Sequence, residues 1–450
     1  MSALAKLCLK RGERVSGTDL RAGRRTEELQ ALGAEIETGP EAPPRRDANR
    51  VIVSSAIPSD HHELLTYRRL NIPILHRSDL LAEFIRDLQS IVVAGTHGKT
   101  TTSSLIFHVL SSNGLSPTGL LGGELAREKT NCVVGKSELL IAEADESDGT
   151  LEKFKPHYGV LTSIDPDINV TSERYSDCSY DIEEALQEVS QVFLKFCLSV
   201  KHRLLVCCDH PNVKRMLQLI SSPHWLTYGL DEQAKLRAVD VQQDGHCVQA
   251  QVVLEERHLG TLRVPLPGLH NLRNALAAVG IGLTAGLGFE EIASAIERFQ
   301  GIRHRFEIVG ESDGVVYVDD YAHNPQKIAA ALAGARSVGR DRVVAVFQPH
   351  RYTRSKLLQD QYPTAFDNAD VVVVTEIYGA GEDPIEGVDG QTIYRSLCRA
   401  YPDKTILFAS GYREVESQVR SCCRPGDLVV GLGAGSVGSW MRRLSLPASA

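Results

Sequence analysis

Residues 91–103 read IVVAGTHGKTTTS. A run of small and β-branched apolar residues breaks into Gly95, Thr96, His97, Gly98, Lys99 and Thr100, then passes into a helix-like stretch. Strand, glycine turn and helix in that order are what a phosphate-binding loop requires. Gly95 and Gly98 let the backbone turn tightly and aim its N–H groups at phosphate oxygens. Lys99 has the reach for β- and γ-phosphates, and Thr100 offers a hydroxyl to Mg2+. The helix start adds the positive end of its dipole. The longer spacing G-x-x-x-x-G-K-[ST] would want glycine at Val93, so this loop is a shorter variant. The plainer alternative, a glycine turn with an incidental lysine, must explain every part by coincidence. Thr101 and Thr102 form helix poorly and are assigned to the phosphate or metal surroundings rather than to packing.

A bound triphosphate needs acids for its metal. The stretch ELLIAEADESD ends an apolar strand with Glu143, Asp145, Glu146 and Asp148. A carboxylate at the C-terminal end of a parallel strand faces the crevice in which such sheets bind ligands. Glu143 is therefore the leading Mg2+ ligand, whereas Glu146 and Asp148, taken singly, read as well as a solvated turn.

The elements that must position these groups alternate between strand and helix along the whole chain. At 450 residues it is too long for one core and predicts roughly two to four domains. Residues 1–88 show a βα alternation that implies a parallel sheet with helices on its faces. Residues 89–301 continue it around the phosphate loop, with shorter, polar-alternating strands at about 235–265 that predict an antiparallel addition. Residues 302–450 return to near-continuous Val/Ile/Leu strands, covered on both faces. The fold class is α/β, with three domains in tandem. A net charge of −8 without a recurring Lys/Arg block argues against a nucleic-acid partner held by bulk electrostatics. Ten cysteines lack C-x-x-C spacing and read as reduced core thiols. The absence of a membrane-length apolar stretch and of a signal peptide predicts a cytoplasmic protein without a membrane partner.

AGTHGKTTT, LIAEADESD, GLHNLRNALAA, HRFE, DDYAHNP, FQPHRYTR and YGAGEDPIEG follow one another along the chain. In these motifs and their order the sequence resembles the Mur ligases, from MSALA to GDLVVGLGAGSV. The resemblance implies an N-terminal Rossmann-like domain for a UDP-substrate, a central P-loop ATPase-like domain and a C-terminal Rossmann-like domain that closes over both. It implies an ATP-dependent ligase of peptidoglycan precursor synthesis, joining L-alanine to the lactyl carboxylate of UDP-N-acetylmuramate through an acyl phosphate. A tripeptide-recycling ligase acting on the same sugar nucleotide is the near alternative. A non-catalytic nucleotide-binding descendant, acting as partner or regulator, is the remote one. Small-molecule substrates and a monomer or weak dimer complete the expectation.

Carried over position by position, Gly95, Thr96, His97, Gly98, Lys99, Thr100 and Thr101 hold ATP. Asn271 contacts the adenine, Arg305 the phosphates and Asp320 the ribose. Thr100, Glu143 and Asp167 hold Mg2+. Lys99, His323, His350 and Arg351 are catalytic, and Arg351 and Arg354 face the amino acid and the reacting carboxyl. Asp19, His76 and Arg77, with SSAIPSD, remain for the UDP-substrate. These residue types suit the chemistry. Phosphorylating a carboxylate is a matter of positioning and neutralising charge with Mg2+, Lys and Arg. The tetrahedral species formed when the amine attacks wants cationic neighbours, and an arginine grips a small carboxylate with two parallel hydrogen bonds.

Several residues have a structural reading beside the functional one. Asn274 is assigned to capping or decorating a helix, and Asn324 before Pro325 to an N-cap. His304 reads as structural or catalytic, and Tyr378 and Glu382 as packing or functional loop residues. The sequence departs from the family in two places. The family's G-x-G-G-x-G loop precedes MSALA, where this chain starts, which points to a misassigned or incomplete start. In SIDPDINVTSERYSD, Ile168 falls where relatives carry a metal-binding histidine, while Asp165 and Asp167 keep acids nearby.

Overall fold

The computed structural model describes residues 1–39, 45–144, 150–165, 182–220 and 222–446. The helix Ser2–Lys10 buries Leu4, Leu7 and Cys8 at helical spacing, and Gly12 at φ +79° ends it. Strand Ser16–Asp19 pairs in parallel with Glu35–Thr38, and Val51–Val53 with Ile74–His76. The single parallel sheet expected over residues 1–88 is thus two separate two-stranded sheets. Among the described residues no ladder joins these two ribbons.

The second layer is a ten-stranded sheet. Its parallel centre runs Trp225–Gly229, Arg203–Cys207, Tyr158–Leu161, Gln89–Ala94, Leu139–Glu143 and Thr118–Leu120. Leu236–Asp244, Cys247–Leu254 and Arg257–Val264 extend it, with antiparallel pairing among the three, as the polar alternation predicts. Cys132–Val133 closes the other edge. Ile91 and Val93 face one apolar cluster, and Val92 and Ala94 face the other. Helices Lys99–Ser112 and Leu269–Thr284 cover the first face through Leu105, Leu110, Leu272 and Leu276. Helices Arg77–Asp87 and Ile182–Ser199 cover the second through Phe84, Phe193 and Phe196. Burial on both sides is why these strands read as unbroken apolar runs.

The third layer has six strands in the order Glu307–Ser312, Val315–Asp320, Leu428–Leu432, Val343–Phe347, Val371–Thr375 and Thr405–Ala409. All pair in parallel except the opening hairpin. Asp320, Gln348 and Gly433, each at or just past the end of a parallel strand, therefore share one rim. The hairpin strand Glu307–Ser312, the strand Trp225–Gly229 and the helix Pro211–Leu219 were not expected from the sequence. The described cysteines are free thiols. Cys8, Cys132, Cys197, Cys207 and Cys208 are buried as expected, whereas Cys247, Cys398, Cys422 and Cys423 are partly exposed. No helix among the described residues is long and apolar enough to cross a membrane.

Helix Leu269–Thr284 approaches the sheet so closely that a Cβ on Gly280 would lie 2.4 Å from Leu205 Cδ2. Gly280→Val overpacks that face and lowers stability by about 1–3 kcal/mol. Scanning calorimetry checks this, and an unchanged midpoint would contradict the packing.

Candidate active site

Strand Gln89–Ala94 runs into Gly95 at φ +130°, and Gly98 at +81° directly precedes helix Lys99–Ser112. Neither glycine has room for a side chain. A Cβ on Gly95 would sit 2.1 Å from Thr162 Oγ1, and one on Gly98 2.6 Å from Asn274 Oδ1. Ser163 pins the loop from below: its carbonyl accepts from Thr96 N–H at 3.1 Å and its hydroxyl from His97 N–H at 2.9 Å. This corrects the expectation that those two amides face phosphate, because the fold's own network holds both, and the Thr96 side chain is buried.

Asn274 is likewise more than a decoration. It is buried, its Oδ1 accepts from Thr102 Oγ1 at 3.1 Å, and its Nδ2 donates to Asn271 Oδ1 at 3.3 Å. The second helix is thereby fastened to the back of the loop. Thr102 faces that junction rather than the phosphates, contrary to the sequence reading. Thr100 Oγ1 donates to both carboxylate oxygens of Glu143, at 3.0 and 2.9 Å, and Gly122 N–H donates to the same group at 3.0 Å. Asp145, Glu146, Asp148, Asp167 and Ile168 lie outside the described residues.

Beside the loop opens a cleft of about 390 Å³. His97, Gly98, Thr101, Asn271, Arg305 and Asp320 are among the residues that line it. Asn271 Nδ2 donates to Pro267 C=O at 2.8 Å. Asp320 accepts from Phe306 N–H and Ala322 N–H, both at 2.8 Å, and burial raises its carboxyl above the usual range.

Asp209, His210 and Arg273, which the sequence reading passed over, also line the cleft, and Asp165, an acid noted in the sequence, lies against two of its lining imidazoles. Asp165 Oδ2 lies 3.0 Å from His97 Nε2 and 3.1 Å from His210 Nε2. Burial pushes this carboxyl up, but the two imidazoles, His210 ahead of His97, outweigh it and hold the acid below its ordinary range. Asp209 accepts from Leu230 N–H at 2.8 Å, from Asp231 N–H at 3.0 Å and from Arg273 Nε. Asp209 and His210 follow strand Arg203–Cys207, so the rule that singled out Glu143 would have found them too. Lys327, from the third layer, completes the wall.

A second group gathers at the rim of the third sheet. His323 is buried and its Nδ1 lies 2.8 Å from Tyr321 C=O. The His323 and His350 rings are 5.9 Å apart, and His350 stacks on Tyr378 at 5.8 Å with 15° between the planes. Arg354 donates to His350 Nδ1 at 3.0 Å. Arg351, at φ +70°, pairs with Glu382 at 3.4 Å, and Glu382 also accepts from Thr353 N–H and Oγ1. Tyr378 and Glu382 thus organise this loop, and Asn324 caps its helix as expected, accepting from Lys327 N–H at 2.9 Å. Burial, reinforced by Arg354 and Arg351, pushes His350 down to about 4. Burial also drives His323 well below its ordinary value.

Asp19, His76 and Arg77 line neither group. Asp19 accepts from Arg21 N–H at 3.2 Å. His76 caps helix Arg77–Asp87, its Nδ1 accepting from Ser78 N–H at 3.3 Å, and its Nε2 meets Ser55 Oγ of SSAIPSD at 3.1 Å.

A strand, glycine turn and helix at the end of one parallel sheet, beside a cleft shared with the strand ends of a second, is an arrangement of the class found in nucleotide-using enzymes. Residues 1–89 match the Mur ligase family catalytic domain, 93–282 the Mur ligase middle domain and 304–435 the Mur ligase glutamate ligase domain. The chain is 40% identical over 440 residues to the UDP-N-acetylmuramate–L-alanine ligase of Desulfosudis oleivorans, covering 97% of this chain and 93% of that one. It is 42% identical over 452 residues to the enzyme of the same name from Thermosynechococcus vestitus, covering 97% and 91%. The crystal structure of UDP-N-acetylmuramate–alanine ligase from Thermotoga maritima superposes with a TM-score of 0.76 at 25% identity, covering 99% of this chain and 95% of that one. This chain belongs to the Mur ligase family.

The buried imidazoles make stability depend on pH. His350 titrates near 6.5 unfolded and near 4 folded, so between those values the unfolded chain binds more protons and stability falls with falling pH. His323 and His270, lowered by burial, act in the same direction. His304 acts oppositely: its hydrogen bond to Asp319 raises it, so its contribution is complete below 6.5 and is lost as pH rises through the raised value. Thermal stability is expected to peak near neutrality. Each buried imidazole contributes at most about 1.4 kcal/mol per pH unit, and His350 less, because solvent screens it. His350→Gln should flatten the acid limb of a Tm-against-pH curve.

Proposed function

We propose that this protein joins L-alanine to the lactyl carboxylate of UDP-N-acetylmuramate at the expense of ATP, in peptidoglycan precursor synthesis. The observation that carries the reading is the match, over 97% of the chain, to relatives named for that activity. We divide the work among residues 1–88 for the sugar nucleotide, 89–301 for ATP and 302–450 for the amino acid and closure. We place the protein in the cytoplasm, where ATP is supplied, as a monomer or weak dimer.

Thr100 and Glu143 fit Mg2+. A hydroxyl and a carboxylate in contact form a hard, all-oxygen pair of the kind Mg2+ takes, and water would supply its other ligands. A Cβ at Gly122 would fill that space, 2.2 Å from Glu143 Oε2 and 2.6 Å from Thr100 Oγ1. When bound, the ion supplies charge neutralisation for phosphoryl transfer. Lys99, at the helix start, and Arg305 hold the phosphates. Asn271 meets the adenine and Asp320 the ribose, while Asp19, His76 and Arg77 meet the UDP-substrate.

Hydrogen-bond partners set the tautomers in the third layer. A carbonyl can only accept, so His323 carries its proton on Nδ1 and presents Nε2 as an acceptor for the amine's proton. Arginine can only donate, so His350 accepts at Nδ1 and presents Nε2–H to an oxyanion. Arg351 and Arg354 hold the carboxylates.

Purified protein with ATP, Mg2+ and UDP-N-acetylmuramate should release phosphate only when L-alanine is added, and should prefer alanine to a tripeptide. Phosphate release indifferent to alanine would overturn the reading. Lys99→Ala should lower kcat/KM by roughly two to three orders of magnitude. Gly122→Ala should raise the Mg2+ concentration needed for half-maximal rate while ATP binding without metal stays unchanged, which titration calorimetry checks.

A further inference from the structure

Arg305 lines the cleft, and a charged cluster centred on Asp319 lies beside the segment that carries it. Residues 302–306 connect the second layer to the third. Their first half is tied to the central sheet: Ile302 bridges Leu125, Arg303 N–H donates to Glu124 C=O at 2.9 Å, and the two side chains pair at 3.3 Å. Their second half is tied to the third sheet. Tyr321 N–H donates to His304 C=O at 2.8 Å, and Phe306 N–H donates to Asp320 at 2.8 Å. Between these ties sits Arg305, its guanidinium 5.0 Å from the Tyr321 ring centroid. It is flanked by His304 at φ +61° and Phe306 at +46°. Residues with a Cβ hold left-handed backbone only where their surroundings enforce it.

At the centre of those surroundings is Asp319, only 1% exposed. It is pressed against helix Val437–Leu444, where a Cβ on Gly438 would come within 2.5 Å of its carboxylate. A carboxylate buried so deeply has to be paired. Asp319 Oδ2 lies 2.7 Å from His304 Nδ1 and accepts from Arg442 NH1 at 2.9 Å. Arg442 NH2 donates to Glu307 Oε2 at 2.8 Å, and the same oxygen accepts from His304 N–H at 2.9 Å. His304 is therefore held at its side chain, its N–H and its carbonyl. His304, Glu307 and Asp319 offer ligand atoms within 4.8 Å of one another, as a cation site would. Arg442 already supplies the cation, so the cluster reads as a brace and not a metal site.

We propose that Asp319 is a positioning residue for ATP: through His304 and Arg442 it fixes the turn that carries Arg305 and so holds that guanidinium toward the phosphates. The proposal rests on the reading that Arg305 meets ATP, but not on ligase turnover. Its test is a double-mutant cycle on the Kd of ATP with Mg2+, measured by calorimetry on the full chain. Asp319→Asn should weaken binding about tenfold in the wild-type background and add almost nothing to Arg305→Ala, as expected of two residues acting through one contact. In turnover the loss should appear in KM for ATP and leave KM for alanine unchanged. His304→Gln, at a half-exposed side chain, gives a second route if Asp319→Asn fails to fold, with the same loss and the same lack of additivity. Losses that multiply with Arg305→Ala, or an ATP affinity unchanged in the folded variant, would overturn the proposal. A wild type that binds ATP without ligating alanine would sink the proposed function alone, and one that binds no ATP would sink both.

Discussion

The loop at residues 95–98 exists because its two glycines lack side chains, and the rest of the site is arranged around that omission. Gly95 is pressed against Thr162 and Ser163 at the end of the neighbouring strand, and Gly98 against Asn274 of the second helix. The left-handed backbone at both positions turns the chain directly from strand to helix. The first helical turn, with Lys99 and Thr100, then stands beside Glu143 on the adjacent strand. Any Cβ would push strand, loop and helix apart together, so the approach of three elements and the geometry of the loop are one constraint.

Around the cleft three acids come already paired. Asp165 sits between two imidazoles, Asp209 against Arg273, and Asp319 against His304 and Arg442. Each pair joins segments distant in sequence, and each avoids the cost of an uncompensated charge in a dry environment. A site that must receive a highly charged ligand gains from having its own charges fixed beforehand, since little reorganisation is left for the moment of binding.

The sheets were legible in the sequence because burial on both faces leaves a plain signature: Val92 and Val93 are both apolar, although they face opposite clusters. The loop was legible because its requirements are local. What the sequence hid depends on distant partners. Nothing near Asn274 announces Gly98, and nothing near Thr96 announces Ser163. Trp225–Gly229 follows a short helix and a polar turn, so it offered no repeat long enough to count. The capping role of His76, by contrast, is local: Asp79, three residues on, accepts from its N–H at 2.9 Å, a spacing the sequence itself displays.

The three layers are held very unequally. The second and third sheets surround each inner strand with neighbours on both sides, while the first layer consists of two ribbons of three or four residues per strand. Two-stranded ribbons of that length have little cooperativity of their own, and each leaves a row of backbone groups without a ladder partner. Local opening therefore costs least in the first layer, and amide exchange and limited proteolysis are expected to enter there before they reach the two larger sheets.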